Sequence, residues 1–415
     1  MVTVFDRLYS TLPKSLVWKA QLMFTGVKYT DALTEAVNEG AAPGFWPYRM
    51  LSADGSGQFR QVPYLFKLAD AVARVRVNDK SNYEVRRSSN EFALWCDEQL
   101  LCQVEFVPEH SWASFRTHDG STYAESGIEQ LGDMLVVNLT PGCEYFLTKS
   151  NCKFCGYGRF SPKTQALGQL PGQILPQILT VDRMSEVLAN ASKSGEARHV
   201  YIVGGSTMSP EDEVERFVPV IKAARKAVGD RLHVTAGSGA VDRDGSLRFR
   251  DAGADSCCYN LETWDPATFE AVCPGKAKSV GRDRWIKGLT DAVDVFGWGR
   301  VASAFVAGLE VPPPAPGMSV DGMLASIREG AEFLLDRGIT PLYSPLWPVE
   351  GTAYAVSDGI SPEVYLNLEY DVCKLRQARN FPVPDWLICS GCSYMLMEVD
   401  FDKEFGLTSS VSANR

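Results

Sequence analysis

From about residue 133 onward, the apolar positions fall into two alternating kinds of run. Short continuous stretches read as buried strands: Leu135–Leu139, His199–Val203, Leu232–Ala236, Ser256–Leu261, Val301–Val306 and Pro341–Leu346. Longer amphipathic stretches read as helices: Val181–Ala191, Pro210 to about Val228, Arg284–Phe296, a helix from Ser319 to about Arg337, and Pro362–Arg379. Ser209-Pro210-Glu211-Asp212 shows how one of them starts. A serine caps the first amides, proline takes the first helical position, and acids face the positive end of the helix dipole. Strands alternating with helices imply a parallel sheet with crossover helices. Six such units fit a partial (β/α)6 barrel or an open doubly wound sheet. In both, the working loops sit at the carboxyl ends of the strands.

The pattern differs at the two ends of the chain. Residues 1–130 lack the βα alternation and carry strand-like runs at Ala71–Val77, Phe92–Trp95 and Leu101–Phe106, separated by turn signals such as Asp119-Gly120. This predicts an N-terminal α+β extension over 1–130, available as a substrate-binding or lid region. The barrel core is expected over 131–350, and a C-terminal helix and cysteine-containing cap over 351–415.

Composition narrows the function. Net charge is −10 among 415 residues, so a nucleic-acid partner is disfavoured and a small-molecule substrate is the default. No apolar run approaches the ~20 residues of a membrane helix. The first twenty residues lack the ordered regions of a signal peptide, and a cytoplasmic location is expected. Eleven cysteines in such a chain point to metal or redox chemistry more than to disulfides.

Three of those cysteines stand together after the first barrel strand, as Cys143-x8-Cys152-Lys153-Phe154-Cys155-Gly156-Tyr157. Thiolates at C-x2-C spacing serve an iron–sulfur cube or zinc alike. Three thiolates leave one iron of a cube open to a ligand. A zinc site would need a fourth donor, for which Cys102 and His118 are candidates. Buried free thiols are the plainest alternative.

The segment resembles the radical SAM superfamily, in its biotin synthase-like branch. Cys152-x-Phe154-Cys155 matches the second half of the usual C-x3-C-x2-C signature, while the first gap is five residues longer. Further stretches fall at strand ends in the family's order. Gly204-Gly205 resembles the element that receives the amino group of S-adenosylmethionine (SAM), with Ser206-Thr207 in place of its acid. Asn260-Leu261-Glu262-Thr263 resembles the Asn-Leu-Asp-Thr stretch near the ribose. Arg284 resembles the arginine that pairs with the SAM carboxylate, with Arg282 as a competitor. Ser303–Glu310, centred on Val306, resembles the backbone cradle of adenine. Each has a plainer reading: a βα turn, a helix-start acid, a solvated charge and a core valine.

The resemblance implies a four-iron four-sulfur (4Fe–4S) cluster on Cys143, Cys152 and Cys155. It implies SAM held by Phe154, Tyr157, Gly204, Gly205, Asn260, Glu262, Arg284 and Val306. It also implies an electron donor such as flavodoxin or ferredoxin. The activity expected is reductive SAM cleavage and hydrogen abstraction from a small molecule, ending in rearrangement, carbon–carbon cleavage or sulfur insertion. The residue that carries the abstraction step is not legible. Two rivals stay open: a non-catalytic iron–sulfur or cofactor-assembly scaffold, and a structural zinc protein with a barrel fold. Cys389-Ser-Gly-Cys392, with Cys373 upstream, is a second candidate metal or auxiliary-cluster site, a redox or sulfur-handling pair, or a set of buried thiols.

Overall fold

The computed structural model describes residues 10–28, 30–43, 63, 65–75, 78, 80–89, 91–123, 126–139, 143–156, 180–349, 351–357 and 359–407. The chain opens with helices α1 (Lys14–Thr25) and α2 (Asp31–Asn38). An antiparallel sheet follows, built from β1 (Leu65–Leu68), β2 (Ala71–Arg74), β3 (Tyr83–Ser88), β4 (Glu91–Cys96) and β5 (Gln99–Phe106) in the order β2-β1-β5-β4-β3. This is the α+β arrangement expected of the N-terminal region. Its core gathers Leu22, Val27 and Leu33 against Phe66, Val85, Leu94 and Val104.

The second sheet begins with an antiparallel hairpin, β6 (Ile128–Leu131) and β7 (Met134–Asn138). It continues through α3 (Val181–Ser194), β8 (His199–Val203), α4 (Pro210–Val228), β9 (His233–Gly237), α5 (Arg243–Ala252) and β10 (Ser256–Cys258). Then come α6 (Pro266–Val272), α7 (Pro274–Ser279), α8 (Arg282–Phe296), β11 (Val301–Ala307), α9 (Val320–Leu335) and β12 (Ile339–Pro345). Strands β7 to β12 pair in parallel in unbroken sequence order, which is the topology of a partial (β/α)6 barrel. Helices start where the caps predict. Ser209 accepts from the Asp212 amide at 3.4 Å, and Ser319 from the Gly322 amide at 3.1 Å.

Alternate residues of each barrel strand face opposite layers. Leu135, Val200, Val234 and Cys257 pack under the helices with Phe217, Leu289 and Leu334. Met134, Val136, Tyr201, Cys258, Ala302 and Leu342 line the inner face. The C-terminal segment covers that inner face with Trp386, Leu387 and Cys389. It comprises α10 (Pro362–Ala378), α11 (Ser390–Met395) and α12 (Glu398–Glu404). The buried Lys19 of α1 holds this segment, its ammonium donating to the carbonyl of Leu396 at 2.9 Å and to Asp400 at 2.6 Å.

β10 is shorter than the apolar run Ser256–Leu261 predicts, because side chains interrupt its ladder. The Asn260 amide oxygen accepts from the Ala304 amide at 3.1 Å, and the Ser303 hydroxyl accepts from the Leu261 amide at 3.1 Å. Pairing resumes at Glu262, which bridges to Phe305 in a left-handed backbone conformation, φ +77°. That region disfavours a side chain, so the surrounding contacts hold local strain in place.

Candidate active site

The cysteine loop leaves the carboxyl end of β7 and is fastened to its neighbours by the main chain. The Glu144 amide donates to the Ser206 carbonyl at 3.0 Å, and the Glu144 carboxylate accepts from the Met208 amide at 2.8 Å. The Lys153 amide donates to Val272, and the Gly275 amide to Ser150, each at 2.8 Å. The loop is thereby tied to the β8 exit on one side and to the α6–α7 corner on the other. A Cβ on Gly275 would sit 2.5 Å from Tyr145 and 2.6 Å from the Ser150 carbonyl, so only glycine allows this approach.

Cys152 is buried, whereas Cys143 and Cys155 are partly exposed. The Cys155 amide closes a turn on the Cys152 carbonyl at 3.1 Å. Cys143 and Cys152 are near enough to act on each other electrostatically; burial first, and the Cys152 charge among lesser causes, push the Cys143 thiol up. Cys152 goes the other way. A hydrogen bond from the Cys273 thiol and the nearby Lys276 ammonium hold it below the ordinary thiol range, against the cost of burial. A thiolate is the ligand form for iron, and this environment favours it. A single tetrahedral ion would hold sulfurs about 3.8 Å apart. Among the described residues, the compact set of three donors is His199, Cys389 and Cys392. Neither Cys102 nor His118 completes a compact set with the loop cysteines: Cys102 lies in β5, and His118 is exposed beside Glu186.

Lys276 is the central cation. It is 6% exposed, donates to the Asn260 carbonyl at 2.6 Å and to the Glu262 carboxylate at 2.5 Å, and lies 4.5 Å over the Trp285 ring. Burial would lower its pKa, but Glu262, Cys152 and Cys273 outweigh that and raise it. Asn260, Glu262 and the cysteine loop therefore share one buried ammonium. Neither Lys276 nor Cys273 is a predicted site residue. No linear signal singles Lys276 out, since Cys273-Pro-Gly-Lys276 reads as an ordinary proline-initiated turn.

The other predicted residues divide. Gly204 and Gly205 leave the end of β8 beside the loop, with the Gly205 carbonyl accepting from Arg216. An acid of α4 is buried beside them. Glu213, 2% exposed, accepts from Thr207 at 3.1 Å and from the Gly239 amide at 2.8 Å, joining the β8 and β9 exits. Val306 lies in β11, its amide donating to the Glu262 carbonyl at 2.9 Å. Phe154 is half-buried against the barrel core. Tyr157 lies outside the described residues. Arg284 is exposed in the first turn of α8, whose buried face is taken by Trp285, Gly288 and Leu289. Arg282 donates to the Trp264 carbonyl at 2.6 Å and lies over the Trp264 ring. Cys373 stands outside the compact set of His199, Cys389 and Cys392. It packs in α10 toward Asp402.

Residues 137–301 match the family profile described as the Radical SAM superfamily. Bacteriochlorophyllide c C-7(1)-hydroxylase of Chlorobaculum limnaeum is 23% identical over 342 residues, covering 80% of this chain and 77% of that protein. Among solved structures, the FeFe-hydrogenase maturase HydG of Carboxydothermus hydrogenoformans is similar at 14% identity and a TM-score of 0.45, over 63% of this chain. The match spans 56% of the maturase, little more than half its length. Methylornithine synthase is similar at 15% identity and a TM-score of 0.44, over 69% of this chain and 79% of that one.

Proposed function

The chain belongs to the radical SAM superfamily of enzymes, and on that premise we propose that Cys143, Cys152 and Cys155 hold its 4Fe–4S cluster, with SAM seated between them and the ends of β8, β10 and β11. The observation that carries this reading is the convergence of the cysteine loop, Gly204-Gly205 and the Asn260–Glu262 bulge, stapled together by Lys276, Glu144 and Glu213. The donor set fits the group: two partly exposed cysteines beside a buried one whose thiolate is favoured. Bound there, cluster and SAM supply an electron and a source of the 5′-deoxyadenosyl radical, which is the cofactors' chemistry.

The protein's own residues do the positioning. Lys276 neutralises the half-buried Glu262 and holds the Asn260 carbonyl. A carboxylate at Glu262 suits paired sugar hydroxyls, as acceptor to two donors. The left-handed backbone at Glu262 pre-sets that orientation without reorganisation at the moment of binding. The cation for a SAM carboxylate is Arg284, exposed at the start of α8, or Arg216, whose guanidinium reaches the Gly205 carbonyl and whose Nε is buried without a partner.

The substrate is a small molecule, and the reaction removes a hydrogen atom from one of its carbons. The hydroxylase relative adds C–H hydroxylation in cofactor biosynthesis to rearrangement, carbon–carbon cleavage and sulfur insertion as outcomes. The N-terminal sheet and its helices are assigned to the substrate side. The test is spectroscopic. Anaerobically purified, reduced protein should show a 4Fe–4S electron paramagnetic resonance signal that changes on adding SAM. A signal insensitive to SAM contradicts the seating proposed, and Glu262→Gln should weaken the SAM concentration dependence without changing iron content.

A further inference from the structure

At the opposite end of the barrel from the cysteine loop, β7, β8 and β9 start in register at Met134, His199 and His233. The turn Cys389-Ser390-Gly391-Cys392 is laid across those strand starts, and its fit is close. The Ser390 amide donates to Asp133 at 2.6 Å, while the Asp133 amide donates back to the Ser390 hydroxyl at 2.8 Å. A Cβ on Gly391 would collide with the Leu131 carbonyl and lie 2.5 Å from the Met134 Cβ. Any larger residue would push the turn off the sheet.

This placement gathers four soft or borderline donors. His199 Nδ1 is 3.3 Å from Cys389 Sγ and 3.9 Å from Cys392 Sγ. Cys392 Sγ is 3.8 Å from Met134 Sδ. Cys389 and Cys392 are free thiols with sulfurs 2.6 Å apart, and His199 is only 2% exposed.

Neighbouring side chains engage the other imidazole nitrogen. His199 Nε2 meets Thr235 Oγ1 at 2.7 Å, Thr235 Oγ1 meets Ser256 Oγ at 2.8 Å, and Ser256 Oγ meets His233 Nε2 at 2.8 Å. Thr235 thus occupies the Nε2 side of His199, and Nδ1 is turned toward the two sulfurs. A partner on the distal nitrogen is the usual way a metal-binding imidazole is oriented.

We propose that His199, Cys389 and Cys392 bind one thiophilic metal ion, with Met134 as fourth donor. Zinc is the ion that a buried, closed nitrogen–sulfur set suits. Tetrahedral coordination at about 2.3 Å to sulfur and about 2.0 Å to nitrogen separates ligand atoms by roughly 3.5–3.8 Å. The His199–cysteine and Cys392–Met134 spacings already match. The two cysteine sulfurs must part by about 1 Å, a small side-chain rotation within the turn. The ion would fasten the C-terminal segment beneath the barrel, remote from the SAM mouth. The two thiols release their protons on binding.

The test uses the full-length protein, purified anaerobically under reducing conditions and dialysed, with zinc and iron measured together by elemental analysis. One zinc per chain, in addition to cluster iron, is expected. Cys389→Ser/Cys392→Ser should lose the zinc and keep the iron, and Cys373→Ser should keep both. Cobalt(II) titration of the Cys152→Ala chain gives a reading independent of the cluster and of how the double variant folds. Thiolate-to-cobalt absorption with tetrahedral bands, saturating at one equivalent, is expected. Absence of stoichiometric zinc and cobalt uptake would overturn the site. Uptake unchanged in Cys389→Ser/Cys392→Ser, or a Cys389–Cys392 disulfide in the reduced protein, would overturn it too.

Discussion

At the scale of single residues, buried charges carry the consequences. Glu310 is 1% exposed, accepts from Thr263 at 2.6 Å through one oxygen, and leaves the other without a partner. Burial raises its pKa from 4.5 to about 7. The folded state thus holds a proton that the unfolded chain gives up earlier. Stability from this group is complete below pH about 4.5 and declines as pH rises to about 7, by roughly 3 kcal/mol. Glu310→Gln should flatten that part of a stability-versus-pH curve measured by urea unfolding. An unchanged slope would show that Glu310 does not titrate there. Lys276→Met would strand the Glu262 carboxylate, with side chains only 8% and 14% exposed in the pair. Breaking a buried pair from one side costs about 3–5 kcal/mol. Thermal melting should show this, and Lys276→Met/Glu262→Leu should recover much of it. The sequence made Glu262 legible through its motif and left Lys276 hidden, because nothing in a linear pattern says which lysine turns inward.

At the scale of elements, regular segments were legible and their interruptions were not. His199–Val203 and the helix from Pro210 to Val228 follow from periodicity and caps alone. The end of β10 does not, since it is set by Asn260 and Ser303 side chains taking over ladder bonds from a neighbouring strand. Nor does a linear pattern say which of two neighbouring helix residues turns outward: Trp285 is buried and Arg284 exposed, about 100° apart around α8. Loop docking gives a test at this scale. Gly275→Ala would force the α6–α7 corner away from Tyr145 and Ser150, an overpacking cost of about 1–3 kcal/mol. Reconstituted protein should then hold less iron and sulfide while its far-ultraviolet circular dichroism stays unchanged. Full iron incorporation would show that this contact does not position the loop.

At the scale of the whole molecule, alternation of strands and helices predicts the barrel order, and six parallel strands are found. What links the ends of the chain was not legible, because it depends on contacts across more than 370 residues. Lys19 of α1 reaches Leu396 and Asp400. Lys19→Met should loosen the C-terminal segment before the barrel melts. Limited proteolysis should then cut within residues 385–407 at a temperature where the unmodified chain resists. The proposal that the Cys143, Cys152 and Cys155 loop houses the cluster at which SAM is cleaved is tested by the 5′-deoxyadenosine formed from SAM and dithionite under anaerobic conditions. The reconstituted chain should form it, and Cys152→Ala should bind little iron and form none above background. Undiminished deoxyadenosine from Cys152→Ala, or none from an iron-replete unmodified chain, would contradict the account.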